Sequence, residues 1–584
     1  MHRHKRWIIE PTRPQAAELA ARLKLSPLLA QMLLNRGIEN PEDARAFLNP
    51  SLNGLADPAL LPGMRQAAER IAKAVRDRQR IVIYGDYDVD GITATSILWH
   101  AITLLGGDVH TYIPHRIDEG YGLNSEALVQ IIDGGAQLVV TVDCGITAIE
   151  PARIAKERGV DLIITDHHEW HGTEPHLPDC FAIVHPRLPG EKAYPNPYLC
   201  GAGVAFKLAW GIGQAAGGAA RVSAPFREFL IEATALAALG TIADVVPLVG
   251  ENRILAHFGL GGLKASKLTG IRALIESAGL SGQKLDSYHV GFLLAPRLNA
   301  IGRMGHARLA VELLTTADAA KALEIAGYLE EQNRDRQAVE KKILDEAMAQ
   351  IETNHWANNS HRGLVLASEN WHAGVIGIVA SRIVDRFCRP TVMIALSNGQ
   401  GQGSARSING FHLSRALESC GQYLLAYGGH EMAAGLKIDS GKLEEFRAAF
   451  GEIAGKSVTE EMLTPNLRLE CVADLREINE PLVRGIERLG PFGHRNSRPL
   501  LCLKDVTVAA PPRCVGKTGD HLQLMVKQNG QSIRCIAFGC AELADRLPTG
   551  TRINLAAQPG INEFNGRSNV ELQVKDISFN SNTD

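Results

Sequence analysis

IVIYGDYDVDGITATSILWHAITLL, residues 81–105, is the stretch that decides the fold. Its first four residues are apolar and β-favouring, which predicts a strand buried on both faces. Gly85 to Gly91 interrupt the run with turn formers and three acids. From Ile92 onward the apolar residues recur at helical spacing. The same pattern repeats outward. VHTYI (109–113), QLVVTV (137–142), VDLIIT (160–165) and FAIV (181–184) are further short apolar runs, and segments between them such as SEALVQIID (125–133) are spaced as helices. Strand and helix in alternation predict an α/β domain, with a parallel sheet covered on both faces.

The acids lie where such a sheet places its ligands, at the carboxyl ends of strands. Asp86, Asp88 and Asp90 fall within five residues. Like charges so close are costly unless cations compensate them. A helix-capping aspartate accounts for one of the three, not for all. TVDCG (141–145) brings Asp143 to the end of a second run, and ITDHHEW (164–170) brings Asp166, His167 and His168 to the end of a third. Asp244 sits in the otherwise apolar LGTIADVVPL (239–248) and needs a partner or a metal. Singly, each reads equally as a polar loop or a helix cap. Together they bring oxygen and imidazole donors to one sheet edge, a set suited to Mn²⁺ or Mg²⁺. The carboxylates suffice for two ions, which points to metal-assisted hydrolysis of phosphodiester bonds. Asp143, on the central strand, is the natural bridge.

Beyond this domain the pattern changes several times. Residues 1–75 are Leu- and Ala-rich with helical spacing, and 76–316 form the domain that carries the acids. Residues 317–354 read as one long linking helix. A second α/β unit spans 355–456, with strands near 363–368 and 391–396. Residues 457–584 form a last domain; from about 465 the pattern reads as all-β, with hairpin turns at Asn529-Gly530 and Asn565-Gly566, and fits a small OB-type barrel. The 584 residues carry a net charge of -3, with 45% hydrophobic residues and 21% charged, so no basic coat covers the whole protein. Ten scattered cysteines suit reduced thiols. The N-terminus lacks a signal-peptide core and no stretch is apolar enough to span a bilayer, so a cytoplasmic protein that uses no membrane is expected.

DYDVDG, TVDCG, TDHH and ADVVP match, in order, the four motifs of the DHH phosphoesterases. IPHRIDEGYGLN (113–124), CGAGVAFKL (200–208), APRLNAIGRMG (295–305), WHAGVIGIVASRI (371–383), GSARSING (403–410) and GGHEMAAGL (428–436) extend the match. Over residues 75–580 the chain resembles the RecJ branch of that superfamily, the single-strand-specific 5′-to-3′ exonucleases. The resemblance implies a DHH domain, a DHHA1 domain, a terminal OB-fold, and action on single-stranded DNA in repair and recombination. It implies two Mn²⁺ or Mg²⁺ ions on Asp88, Asp90, Asp143, His167 and Asp244. Asp86 is an extra acid and His168 a candidate to stabilise the scissile phosphate or protonate the leaving group, both counted as catalytic. Asp166 is assigned to positioning the loop. A monomer is implied, with a single-strand-binding protein and a helicase as partners. One departure is Cys144, where the resemblance implies Asn.

The resemblance also assigns substrate-holding residues. Arg116, Ser404 and Arg406 would hold the 5′ end, and His430 a phosphate near the cut. Arg297, Asn299 and Arg303 would contact backbone, while the small residues around Gly429 leave room for close approach. Tyr121 would stack on a base. Lys504, Arg513, Lys517, His521, Lys527, Arg534 and Arg567 would line a basic track on the barrel. Two other readings compete. A small-substrate DHH phosphodiesterase, such as an oligoribonuclease, lacks the terminal barrel and linking helix. A non-catalytic replication scaffold on the same fold loses the metal carboxylates, and all of them are present here.

Overall fold

The computed structural model describes residues 5–115, 119–120, 122–170, 176–188, 193–304, 307–358, 360–564 and 567–579, without the side chains of 303, 304, 563, 564 and 567. Packing divides the chain into two compact units. Arg13–Asn333 and Pro481–Pro499 form one; Met1–Thr12, Arg334–Glu480 and Leu500–Asp584 form the other. The chain opens with a short strand, β1 (Arg6–Ile9), within a region whose spacing predicts only helices.

The first unit is built on β2 (Arg80–Gly85), β3 (Asp108–Tyr112), β4 (Leu138–Val142), β5 (Asp161–Thr165) and β6 (Ala182–Val184). All neighbours are parallel, in the order β3-β2-β4-β5-β6. Side-chain alternation along β2 explains the two-sided burial. Ile81 and Ile83 pack with the helices Val89–Leu104 and Gly201–Gly217. Val82 and Tyr84 pack on the other face with the helices Ser125–Asp133 and Ile149–Glu157. Among the described residues, six further helices between Ala224 and Leu314 and a π-helical turn at Val290–Leu294 belong to this unit. The helix Ala319–Thr353 then continues the chain from one unit into the other.

The second unit holds β7 (Leu364–Ser368), β8 (Thr391–Ser397), β9 (Gln400–Arg406), β10 (Leu424–Gly429) and β11 (Ala433–Asp439). Their order is β10-β11-β9-β8-β7; only β7 and β8 run parallel. Sequence reading misses β9 to β11, because their glycines and small residues are poor strand formers that read as loops. β12 (Asn466–Leu469) pairs with β1, and β13 (Cys471–Val472) pairs with the first barrel strand. The barrel comprises β14 (Leu501–Val515), β15 (His521–Gln528), β16 (Gln531–Ala537), β17 (Arg552–Phe564) and β18 (Arg567–Ser578). Pairing of β14 with both β15 and β17 closes it, and β16 lies parallel to β18, giving the five-stranded OB fold. Asn529 (φ 48°) and Gly530 (φ 82°) form the tight turn their pairing predicts. Asn565-Gly566 lies outside the described residues. The stretch from about 465 is not all-β, because the amphipathic helix Glu480–Glu487 interrupts it, and Pro481–Pro499 belong to the first unit. Among the described residues, no helix is long and apolar enough to cross a membrane.

Candidate metal centre

Strands β2, β4 and β5 lie side by side, so their carboxyl ends deliver the predicted residues to one place. Asp88 caps the helix Val89–Leu104, its Oδ1 accepting from the amides of Asp90 and Gly91 at 2.9 and 3.1 Å. Asp90 is buried. It accepts from the amides of Gly201 and Ala202 at 2.6 and 2.8 Å, so the positive end of the helix Gly201–Gly217 holds its charge. Asp143 stands just past β4 in a left-handed conformation, φ 61°. A non-glycine residue there is strained, and such strain gathers at working sites. Gly201 lets the helix come that close; a Cβ on it would lie 2.6 Å from Asp143 Oδ1. Asp244 is the first residue past the helix Ala224–Ala243.

These carboxylates surround His167. Its buried Nε2 lies 3.1 Å from Asp143 Oδ1, 3.6 Å from Asp244 Oδ2 and 3.7 Å from Asp90 Oδ2, yet has no hydrogen-bond partner among the described residues. Three sets of donor atoms fall within 4.8 Å of one another: Asp86, Asp88 and Asp143; Asp90, His167 and Asp244; Asp143, His167 and His168. Asp143 belongs to two of them, as a bridge between two ions would. Asp86 stands with Asp88, so its carboxylate is also placed to join a metal set. Asp166 is spent otherwise. It accepts from the amides of Ile146, His167 and His168 and from His168 Nδ1, at 2.7–3.1 Å.

The electrostatics call for cations. Burial pushes the Asp143 and Asp244 carboxyls well above their usual range, and the charges of Asp90 and Asp88 add to it. Burial and then Asp88 raise Asp90 to about 6. Burial and then His168 pull His167 down to about 3, leaving a neutral imidazole. His168 goes the other way. Burial opposes its charge, but the hydrogen bond and charge of Asp166, with Asp244 and Asp90, hold it up to about 9. Acids that cannot all ionise together, around a neutral imidazole with no hydrogen bond, fit a hard divalent ion. No cysteine falls in these donor sets among the described residues.

Family models match in three places: the N-terminal domain of the DHH family at 80–241, the DHHA1 domain at 361–456, and the RecJ OB domain at 469–576. The chain is 38% identical over 576 residues to the single-stranded-DNA-specific exonuclease RecJ of Bacillus subtilis, covering 98% of this chain and 71% of that one. The chain belongs to the RecJ family. A crystal structure of RecJ with Mn²⁺ from Thermus thermophilus superposes with a TM-score of 0.83 at 33% identity, covering 98% of this chain and 79% of that one. The Mg²⁺ complex from the same organism gives 0.77 at 32% identity, over 98% and 78%.

Among the other residues that RecJ likeness singles out, the structure separates two groups. Ser404 and Arg406 lie two apart on β9 and half-exposed, with Arg406 Nη1 3.2 Å from Ser404 Oγ. Gly377, on the helix Ile376–Phe387, lets that helix end approach; a Cβ there would meet Ser404 Oγ at 2.8 Å and Arg406 Nη2 at 3.2 Å. His430 is exposed at the turn after β10. Gly429 (φ 143°) has a local reason, since a Cβ would strike the Ala433 carbonyl at 2.5 Å. Arg297 is buried and ion-paired to Glu330 at 2.7 Å. Asn299 accepts from the Val89 amide at 3.1 Å and fixes the acid loop. On the barrel, Arg534 is committed to Glu571 at 2.6 Å. Arg116 and Tyr121, and the side chains of Arg303 and Arg567, lie outside the described residues.

Sequence reasoning misses His494. It belongs to PFGHRNSRP (491–499), which carries no acid and interrupts a β-rich region. His494 Nδ1 donates to the Val245 carbonyl at 2.8 Å, and its own carbonyl accepts from the Leu248 amide at 2.9 Å. Val245 is a β-branched residue at φ 58°, directly after Asp244. His494 therefore clamps the strained turn that aims a predicted ligand. The only sequence signal is the glycine before it, whose Cβ would meet Leu248 Cδ1 at 2.7 Å.

Proposed function

We infer that this chain is a divalent-metal-dependent exonuclease that hydrolyses single-stranded DNA from 5′ to 3′ and serves repair and recombination. One observation carries the reading: His167 Nε2 lies without a hydrogen bond among Asp90, Asp143 and Asp244, in a chain matching RecJ proteins along its length. Asp88, Asp90, Asp143, His167 and Asp244, joined by Asp86, would hold two ions, Mn²⁺ or Mg²⁺. Bound there, such ions supply an activated water and offset the charge gathering on the phosphate.

The chain's own residues do the rest. Asp166 orients the His168 ring and keeps a proton on it at neutral pH, which places a cation and a proton donor beside the cluster. The amides of Gly201 and Ala202 fix Asp90 before any ligand arrives, so little reorganisation is left for the reaction. Ser404 and Arg406 offer a hydroxyl and a guanidinium fork suited to a 5′ phosphate, with His430 a further donor. Arg116 is proposed as a further contact for the 5′ end. The barrel would track the strand. A cytoplasmic monomer, working with a single-strand-binding protein and a helicase, is the setting this activity suits.

The test is release of label from single strands in Mn²⁺ or Mg²⁺. A 5′-end label is expected to appear early as mononucleotide, a 3′-end label only late, and blunt duplex is spared. Early release of the 3′ label, or duplex consumed at the single-strand rate, overturns the reading.

A further inference from the structure

Beside the cluster lies a groove of about 1050 Å³ within the unit that carries the metal residues. Its floor is formed by the end of the helix Ala224–Ala243 and by Val245 and Val246, the backbone on either side of Asp244. Tyr288 and Phe292 stand on one wall, 59% and 68% exposed. They are four residues apart and stacked, with ring centres 5.0 Å apart at 26°. Two large aromatic rings held face to face in water mark a binding surface more than a packing accident.

Charge selects the occupant. Lys264 and Lys284 line the same groove, exposed and without an ion pair among the described residues. The groove's acids are already matched: Glu487 pairs with Arg498 at 2.6 Å, and Asp286 caps its helix and is hydrogen-bonded by His289. The two lysines therefore leave a local positive field in a protein whose net charge is -3. Free cations beside an exposed aromatic platform suit phosphates joined to unpaired bases, and a duplex cannot offer its base faces.

We propose that this groove is a strand-holding site for single-stranded nucleic acid. Bases stack on Tyr288 and Phe292, and Lys264 and Lys284 neutralise phosphates. The site rests on the exonuclease reading above and extends it, because it holds the strand on one flank of the cut. It also gives a physical basis for remaining on the strand between cuts.

The test uses the full chain in EDTA, so that nothing is cleaved. Fluorescence anisotropy reads binding of a labelled oligothymidylate of about 20 nucleotides across a salt series. Lys264→Ala/Lys284→Ala is expected to lower the slope of log affinity against log salt by about 1.4, at roughly 0.7 per phosphate contact on single strands. Tyr288→Ser/Phe292→Ser is expected to weaken binding about 10-fold or more with the slope unchanged. Calorimetric Mn²⁺ affinity without DNA stays at the wild-type value for both, since neither pair belongs to the cluster. Wild-type affinity and slope in both variants overturn the proposal and leave a protein partner as the groove's occupant. If the wild-type chain itself neither binds nor degrades single strands, the exonuclease reading has failed first.

Discussion

The two sheets treat their proposed functional residues in opposite ways. At the edge of β2, β4 and β5 the side chains are buried and already engaged: Asp90 by two amides, Asp166 by four donors, Asp143 in a strained backbone. On β9 and after β10, Ser404, Arg406 and His430 are half-exposed or exposed among glycines. Cutting needs donors fixed before the substrate arrives, because the rate depends on geometry held to fractions of an ångström. Holding a strand of any sequence needs access and adaptable contacts. The first region should therefore govern kcat and the second KM.

Asp143→Asn is the strongest attempt to break that division. It removes the carboxylate shared by two donor sets. At several kcal/mol per ion and 1.36 kcal/mol per decade, kcat is expected to fall about 10⁴-fold, while strand affinity in EDTA changes little. Single-turnover release with saturating Mn²⁺ measures it. A variant keeping a tenth of the wild-type rate removes Asp143 from the centre.

Asp166→Asn tests the proton on His168. The folded pKa of His168 is raised to about 9, so its charge is present at neutral pH and is lost as pH rises through that value. Bound cations offset the contributions of Asp244 and Asp90, which leaves Asp166 as the main support. The alkaline limb of kcat is thus expected below about 9 in the wild type and near or below the ordinary 6.5 in Asp166→Asn. At pH 8 the loss should reach about 10²-fold, the lower range for general acid catalysis. A limb that does not move means His168 carries no essential proton.

Arg406→Ala addresses the other half of the comparison. A lost charge-assisted hydrogen bond costs about 1.5–3 kcal/mol, so KM for a 5′-phosphorylated strand should rise about 10- to 100-fold with kcat nearly unchanged. A 5′-hydroxyl strand should discriminate less between variant and wild type. Loss confined to kcat instead would place Arg406 with the cutting residues. His494→Ala should weaken Mn²⁺ binding about 10-fold by releasing the Asp244 turn, as loss of a ligand's support commonly does. His494→Asn, whose amide can replace Nδ1–H, should restore it, with the melting temperature in EDTA equal in all three proteins. Failure of that rescue returns His494 to a packing role.

How far the sequence speaks follows the same contrast. Strands β2, β4, β5 and β6 are legible because each holds an apolar run, β3 because Val109, Thr111 and Tyr112 favour strands, and the acids because they end those runs. β9 to β11 are not, since glycine-rich strands carry no periodic signal. Arg297 and Ser404 look alike as polar residues in small-residue blocks, and only the structure shows that Arg297 is buried against Glu330 while Ser404 is half-exposed. His494 is invisible because its work is done by a hydrogen bond to a backbone far away in sequence. Asp86 and Asp88 are legible as acids, but that both share a set with Asp143 needs three dimensions.

Cys144 brings the smallest effect and the sharpest test of how local the centre is. It directly follows Asp143, where the family resemblance implies Asn, so a change in metal preference is the natural fear. The structure turns its side chain the other way. The residue is 1% exposed and packs with Val139, Ala148 and Ile164, on the face opposite the helix Val89–Leu104. Burial pushes its thiol up, and it joins none of the donor sets among the described residues. Its carbonyl, present in any residue, accepts from Thr141 Oγ1 at 2.8 Å. Cys144→Ala should therefore cost about 1 kcal/mol of stability, from lost apolar contact and a small cavity, and leave the ratio of Mn²⁺- to Mg²⁺-supported rates unchanged. Cys144→Asn should cost more, about 1–3 kcal/mol, because it buries an amide among apolar side chains. Denaturant melts in EDTA read the stability, and the rate ratio reads the metal. A ratio shifted more than about 3-fold by the alanine would show that the apolar face behind β4 tunes the ions, and the boundary between cutting residues and scaffold would have to move.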